Sequence, residues 1–165
     1  MGAGLDGCGR RAVVVGSAGG ADAEFVAGLG FETVGFDVAP SAIQIARERH
    51  PGSRVQYVVA DLFDLPADWI GGFDLVVESI NVQALPDSLR PQAIANVARL
   101  VAPGGTLFVT EAVRDDGEPP ADGPPWPLTR GEIESFGAGA LEPVRIEIVE
   151  APGSQRWRAE FSRHR

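Results

Sequence analysis

Three carboxylic acids each stand directly behind a short apolar run. Asp37 follows residues 33–36 (TVGF), Asp61 follows residues 54–60 (RVQYVVA), and Glu78 follows residues 73–77 (FDLVV). A fourth apolar run, residues 12–15 (AVVV), leads instead into Gly16-Ser17-Ala18-Gly19-Gly20. Ionised carboxylates only accept hydrogen bonds, so they suit hydroxyl, amino and ammonium groups and suit phosphate poorly. A glycine-rich turn lets backbone come close to a ligand, and a helix beginning there offers unpaired N–H groups. A carboxylate at the tip of the second run can accept both hydroxyls of a ribose. The chemistry indicated is recognition of a nucleotide-like ligand.

The elements that would position these groups follow from the pattern. Residues 12–15 are apolar, β-branched for three of four, and too few for a stable helix, so they read as a strand buried on both faces. Residues 21–29 form an amphipathic helix stopped by Gly30, and residues 33–36 a second strand. Residues 40–50 form a second helix, with Pro40 at its first position and Pro51-Gly52 beyond its end. Strands are expected over 54–60, 73–77 and 106–110, with about one helical turn near 67–70. The longest helix is expected over 86–102, burying Leu89, Ala93, Val97, Leu100 and Val101 and ended by Pro103-Gly104-Gly105. A Pro-rich loop fills 114–128, and Thr129 with Glu132 forms a capping box for a helix near 130–136. Two last strands, 141–150 and 155–162, are joined by a turn short enough to make them antiparallel. Strands alternating with helices place a mostly parallel sheet between helical layers. In such a sheet the glycine turn, Asp37, Asp61, Glu78 and the loop after Thr110 all fall at one edge.

Composition narrows the functions. The chain has 165 residues, of which 44% are hydrophobic and 22% charged, and a net charge of −9. That fits one globular domain, residues 11–165, behind a loose Gly-rich lead-in at 1–10. The acidic balance argues against nucleic acid as a partner. No run reaches about 18 apolar residues, so no membrane span is expected, and no signal-peptide core opens the chain; cytoplasm is the expected location. Cys8 is the single cysteine and excludes an internal disulfide. His50 and His164 stand away from the strand ends, so no metal site is expected. Trp69 and Trp157 read as packing residues, whereas Trp126 lies in the loop at the ligand edge.

The run VVVGSAGG…VGFDV…VVADLFDLP…FDLVVESINVQALP…LVAPGGTLFV resembles the class I S-adenosylmethionine-dependent methyltransferases, over nearly the whole chain from Arg11. ESINVQALPDSLR and DGPPWPLTRGEIESF are similar to the thiopurine and halide methyltransferase-like branch. The resemblance implies a Rossmann-like three-layer α/β sandwich with a mostly parallel seven-stranded sheet and a C-terminal antiparallel hairpin. It also implies S-adenosyl-L-methionine as cofactor and methyl transfer to a small-molecule acceptor such as a thiol. By position, Gly16, Ser17, Ala18 and Gly20 would pass under the methionine part. Asp37 would hold the ribose hydroxyls and Val38 would pack on adenine. Asp61 would accept from the adenine amino group with Leu62 on the ring's other face, and Glu78 and Ser79 would lie near the methionine end. Asn81 and Gln83 would flank the acceptor. For a hydroxyl acceptor, Glu78 is the one candidate base.

The sequence departs from that pattern at Val14, where the family has an acid, at Ala18, where it has glycine, and at Glu78-Ser79, where the branch has Asp-Arg. About ten residues precede the first strand, where the family places one or two helices. An open site, a site covered in a homodimer, and a fold that holds cofactor without turnover all stay open on this reading. A nicotinamide-dependent oxidoreductase is the weakest alternative, because its fingerprint needs glycine at Ala18 and Ala21.

Overall fold

The computed structural model describes residues 5–165. Seven strands form one sheet: β1 (Arg11–Val15), β2 (Glu32–Asp37), β3 (Gln56–Val59), β4 (Phe73–Ser79), β5 (Val101–Ala112), β6 (Leu141–Ala151) and β7 (Ser154–Arg163). Their order is β3-β2-β1-β4-β5-β7-β6. The first five run parallel, and β7 lies antiparallel between β5 and β6. The expected sheet and terminal hairpin are therefore present. Strand order reverses between β1 and β4, and a ligand crevice belongs at the carboxyl ends of those two strands.

The helices are α1 (Ala21–Gly28), α2 (Pro40–Arg49), α3 (Arg90–Arg99) and α4 (Arg130–Glu134). Three of the boundaries have a plain local cause. Gly30, at φ 96°, closes α1 in a left-handed conformation. Pro40 occupies the first turn of α2, where its missing N–H costs nothing. At α4, Thr129 and Glu132 cap reciprocally, as the spacing predicts. The two faces of the sheet carry separate cores. One is built on Val13, Val15, Val76, Leu107 and Val109, the other on Ala12, Val14, Leu75 and Val77 packed against α1 and α2. Alternate residues of the same strands feed the two cores, because successive side chains point to opposite faces.

The long helix expected over 86–102 is shorter. Residues 86–89 form a turn closed by the Leu89 N–H on Pro86 O, and Pro91 sits in the first turn of α3. Leu89 is 42% exposed and leaves the buried stripe, while Ile94 joins it. At the other end Val101 already pairs with Phe73, so Pro103-Gly104-Gly105 is a bulge within β5 rather than a helix stop. The register resumes at Leu75 opposite Thr106. Sheet hydrogen bonds won over helical periodicity here because Val101 has a partner strand waiting.

The described part of the lead-in is docked. Gly7 N–H donates to Leu29 O at 3.0 Å, and Gly7 lies so close to Phe31 that a side chain would collide with the ring. Residues 1–4 of the expected lead-in lie outside the described residues. Trp69 is buried between Phe36 and Phe73, and buried Trp157 donates to Leu128 O at 2.8 Å, both as packing residues.

Candidate functional site

The parallel strands β1, β2 and β4 end together at one rim. The turn from Gly16 to Gly20 leaves β1 there. Asp37, the last residue of β2, joins it to the next turn. One carboxylate oxygen accepts the Ala18 N–H at 3.1 Å and the other accepts the Ala39 N–H at 3.0 Å. An ionised carboxylate has about four acceptor positions, so about two stay open at this half-buried site. Val38, the next residue, is 66% exposed, a large apolar side chain held out at the rim. Asp61 follows β3, is exposed, and accepts the Phe63 N–H at 2.8 Å, while Leu62 beside it is half-buried.

The glycines of the turn are needed for a reason the sequence does not display. A Cβ on Gly16 would land on the Asn81 carboxamide oxygen, and one on Gly20 would land on the Tyr57 hydroxyl. Both glycines also have positive φ, 59° and 91°. The space they leave is occupied by the protein's own side chains. Asn81 Nδ2 donates to Val15 O at 2.6 Å and to Ser79 O at 3.0 Å. Tyr57 OH donates to Glu24 at 2.7 Å, and the His50 ring meets Gly19 O at 3.2 Å. Ala18 takes φ 43°, a conformation that a glycine would adopt without cost. Ser17 is buried with its hydroxyl toward Gly35, its N–H donates to Phe36 O at 2.8 Å and its carbonyl accepts the Gly20 N–H at 2.8 Å.

Glu78 does not reach the rim. It is fully buried, and its Oε1 accepts the Asn81 and Val82 N–H groups at 2.9 and 3.1 Å. Burial pushes its pKa up. Glu111, which sequence reasoning missed, is also fully buried and accepts the same Val82 N–H at 3.0 Å. Burial and then the Glu78 charge push Glu111 up to about 10. A signal was present: Glu111 continues the alternation Leu107, Val109 on the buried face of β5. Ser79 is half-buried at the end of β4. Gln83 is buried, and its Oε1 accepts the Ala112 N–H at 2.8 Å. Trp126 anchors its loop, with its N–H on Gln83 O at 2.7 Å and its indole on Ala121 O at 2.9 Å.

Beside the rim a cavity of about 450 Å³ runs down the sheet along α1. Phe25, Val26, Val77 and Phe108 make its apolar walls, and Ser79 and Thr110 mark its end at the strand tips.

A family model described as methyltransferase domain matches residues 12–105, which span β1 to the first part of β5 and hold the glycine turn, Asp37, Asp61 and Ser79. The chain belongs to this family. Over 109 residues it is 38% identical to a ubiquinone biosynthesis O-methyltransferase of Xanthomonas oryzae pv. oryzae (strain PXO99A), covering 64% of this chain and 44% of that protein. The chain thus spans less than half the length of the curated relatives it matches. Among solved structures it is similar to the N-methyltransferase NodS of Bradyrhizobium japonicum WM9 in complex with S-adenosyl-L-homocysteine. That likeness has a TM-score of 0.73 and 24% identity, over 93% of this chain and 78% of NodS. The [4+2]-cyclase SpnF is similar with a TM-score of 0.80 and 22% identity, over 97% of this chain and 76% of SpnF. These two structural likenesses support the methyltransferase fold and leave the reaction to be argued from the site.

Proposed function

We propose that the chain binds S-adenosyl-L-methionine at the rim and transfers its methyl group to a small-molecule acceptor. The observation that carries this reading is the Asp37 carboxylate tied to Ala18 of the glycine turn, with Val38 exposed beside it. The donor chemistry fits. Asp37 keeps open acceptor positions for ribose hydroxyls, and Asp61 can accept from an amino group. Val38 and Leu62 offer apolar surface to a ring, and the backbone of Gly16, Ser17, Ala18 and Gly20 lies under the methionine part, toward Ser79. The cofactor, when bound, supplies an electrophilic methyl on a sulfonium. The residues of this chain then have to orient donor and acceptor and keep water out, which is where most of the acceleration of such a transfer originates.

The adjacent 450 Å³ cavity is the acceptor site on this reading. Glu78 is spent on backbone N–H groups beneath the floor and is not available as a general base. That favours an acceptor nucleophilic without proton removal, such as a thiolate or halide, in keeping with the thiopurine and halide methyltransferase-like motifs at residues 78–90 and 122–136. The name of the Xanthomonas relative points instead to an oxygen acceptor. Residues 11–165 act as the single cofactor-binding domain, in the cytoplasm, with no nucleic-acid partner given the −9 charge. A homodimer could supply cover to the open cavity. Among the described residues no helix is long and apolar enough to cross a membrane.

Calorimetry with S-adenosylhomocysteine tests the site, and turnover on a panel of thiols, halides and phenols tests the acceptor. No binding at high micromolar concentration overturns the reading. Tight binding with no turnover supports the second reading, a cofactor-holding module. The departures from the family pattern at Val14 and Ala18 motivate that second reading.

A further inference from the structure

Beneath the rim, Glu78 ends the buried face of β4 and Glu111 ends the same face of β5. Both are 0% exposed. Their Oε1 atoms converge on one donor, the Val82 N–H, at 3.1 and 3.0 Å. The Oε2 atom of each is buried without a hydrogen-bond partner in the protein. No cation pairs with either among the described residues. Arg90 and Arg114, on the neighbouring helix and loop, pair with Glu132, and Arg158 of β7 pairs with Glu147. The other groups facing the pair are neutral: Asn81 and Gln83 of the exit turn, Val15 of β1, and Trp157, which stands opposite Glu111 in register.

Two ionised carboxylates cannot share one N–H donor in a buried site without a compensating charge. One proton resolves the conflict. It turns one carboxyl into an O–H donor, removes half of the buried charge, and gives an orphan oxygen a partner. We propose that Glu78 and Glu111 hold a single proton between them and act as positioning residues for the strand-exit turn at 79–83 and, through Asn81, for the glycine turn. The mechanical link is continuous. The pair fixes the Asn81 and Val82 N–H groups, the Asn81 side chain grips Val15 O, and its oxygen fills the space above Gly16. Burial raises both pKa values, to about 10 for Glu111, which agrees with a proton retained at neutral pH.

The test uses the full chain and begins without ligand. Infrared spectra at pH 7 should show the C=O stretch of a protonated carboxyl, absent from the double variant E78Q/E111Q. In the wild type that band should persist well above the range of about pH 4–5 where ordinary carboxyls lose it. Absence of the band at pH 7, or its persistence in a folded E78Q/E111Q protein, overturns the proposal. If the double variant does not fold, the wild-type titration decides by itself. For the positioning role, amide exchange at Val82 should be at least about tenfold faster in E111A than in E111Q, whose amide can donate in place of the shared proton. Equal exchange in the two overturns that role. The last arm rests on the methyltransferase reading: affinity for S-adenosylhomocysteine should weaken on the alkaline side in the wild type and not in E111Q. If the wild type binds no S-adenosylhomocysteine, that reading fails while the band and the exchange rates still judge the carboxyl pair.

Discussion

Asn81 and Gly16 occupy a single volume: the carboxamide of one fills the place where the other would carry a side chain. The amide nitrogen of Asn81 donates to the Val15 carbonyl at 2.6 Å, one peptide before Gly16. Substituting Gly16→Ala forces Asn81 out of two hydrogen bonds and places a Cβ at φ 59°. The cost should be about 1–3 kcal/mol by denaturant unfolding. In an Asn81→Ala background the steric part disappears, so the same change should cost roughly 1 kcal/mol less, the non-additivity read from the four-protein cycle. Strict additivity would show that the two residues do not share the space.

Asp37 ties the glycine turn to the turn before α2 through one oxygen each. Asp37→Asn leaves one acceptor oxygen and sets an amide against an N–H. Thermal or chemical unfolding should show a loss of about 1–2 kcal/mol. Affinity for S-adenosylhomocysteine should fall by about tenfold or more by calorimetry, because each lost charge-assisted bond is worth roughly 1.5–3 kcal/mol. Unchanged affinity would remove Asp37 from the site.

Arg90 is a buried cation whose guanidinium contacts Glu132 at 2.7 Å and also donates to the Leu85 and Trp126 carbonyls. Burial opposes ionisation of Glu132, but the Thr129 N–H, Arg90 and Arg114 outweigh it and hold the carboxyl below its ordinary range. Glu132→Ala leaves buried Arg90 with only exposed Asp87, at 3.5 Å, as a carboxylate partner and removes the Glu132 half of the α4 capping box, and should cost about 2–3 kcal/mol. A depressed carboxyl stabilises the fold above its unfolded pKa and loses that contribution as pH falls through its folded value. The wild type should therefore weaken in acid by more than Glu132→Gln does, as measured by unfolding from pH 7 down to about pH 3.

Glu78 and Glu111 act in the opposite sense. A carboxyl raised in the folded state stabilises fully below its unfolded value, and the contribution is lost as pH climbs toward the folded value, about 10 for Glu111. Wild-type stability should therefore decline from about pH 5 toward pH 10, with a slope of up to about 1.4 kcal/mol per pH unit for one proton. Glu111→Gln should flatten that decline. Parallel curves for the two proteins would contradict it.

Much of this molecule was readable from local pattern. Short apolar runs between turn signals, helices opened by Pro40 and Thr129, and the short link before β7 are decisions the chain makes over a few residues. Backbone sterics and capping act at that range, so the strand sequence, the turn at Gly16–Gly20 and the acids at Asp37 and Asp61 could be placed on one rim without coordinates. The ends of α3 and β5 could not. Whether Val101 continues a helix or joins a sheet depends on Phe73, which is remote in sequence. The same holds for the chemistry of the floor. By its sequence Glu78 reads as a rim acid because it follows an apolar run, and Glu111 reads only as the residue after the strand expected over 106–110. Only the pairing of β4 with β5 brings the two carboxyls onto one N–H and away from water. Residue type determined that these groups could be charged. Burial and the partner across the sheet, which exist only once the chain has folded, decided whether they are.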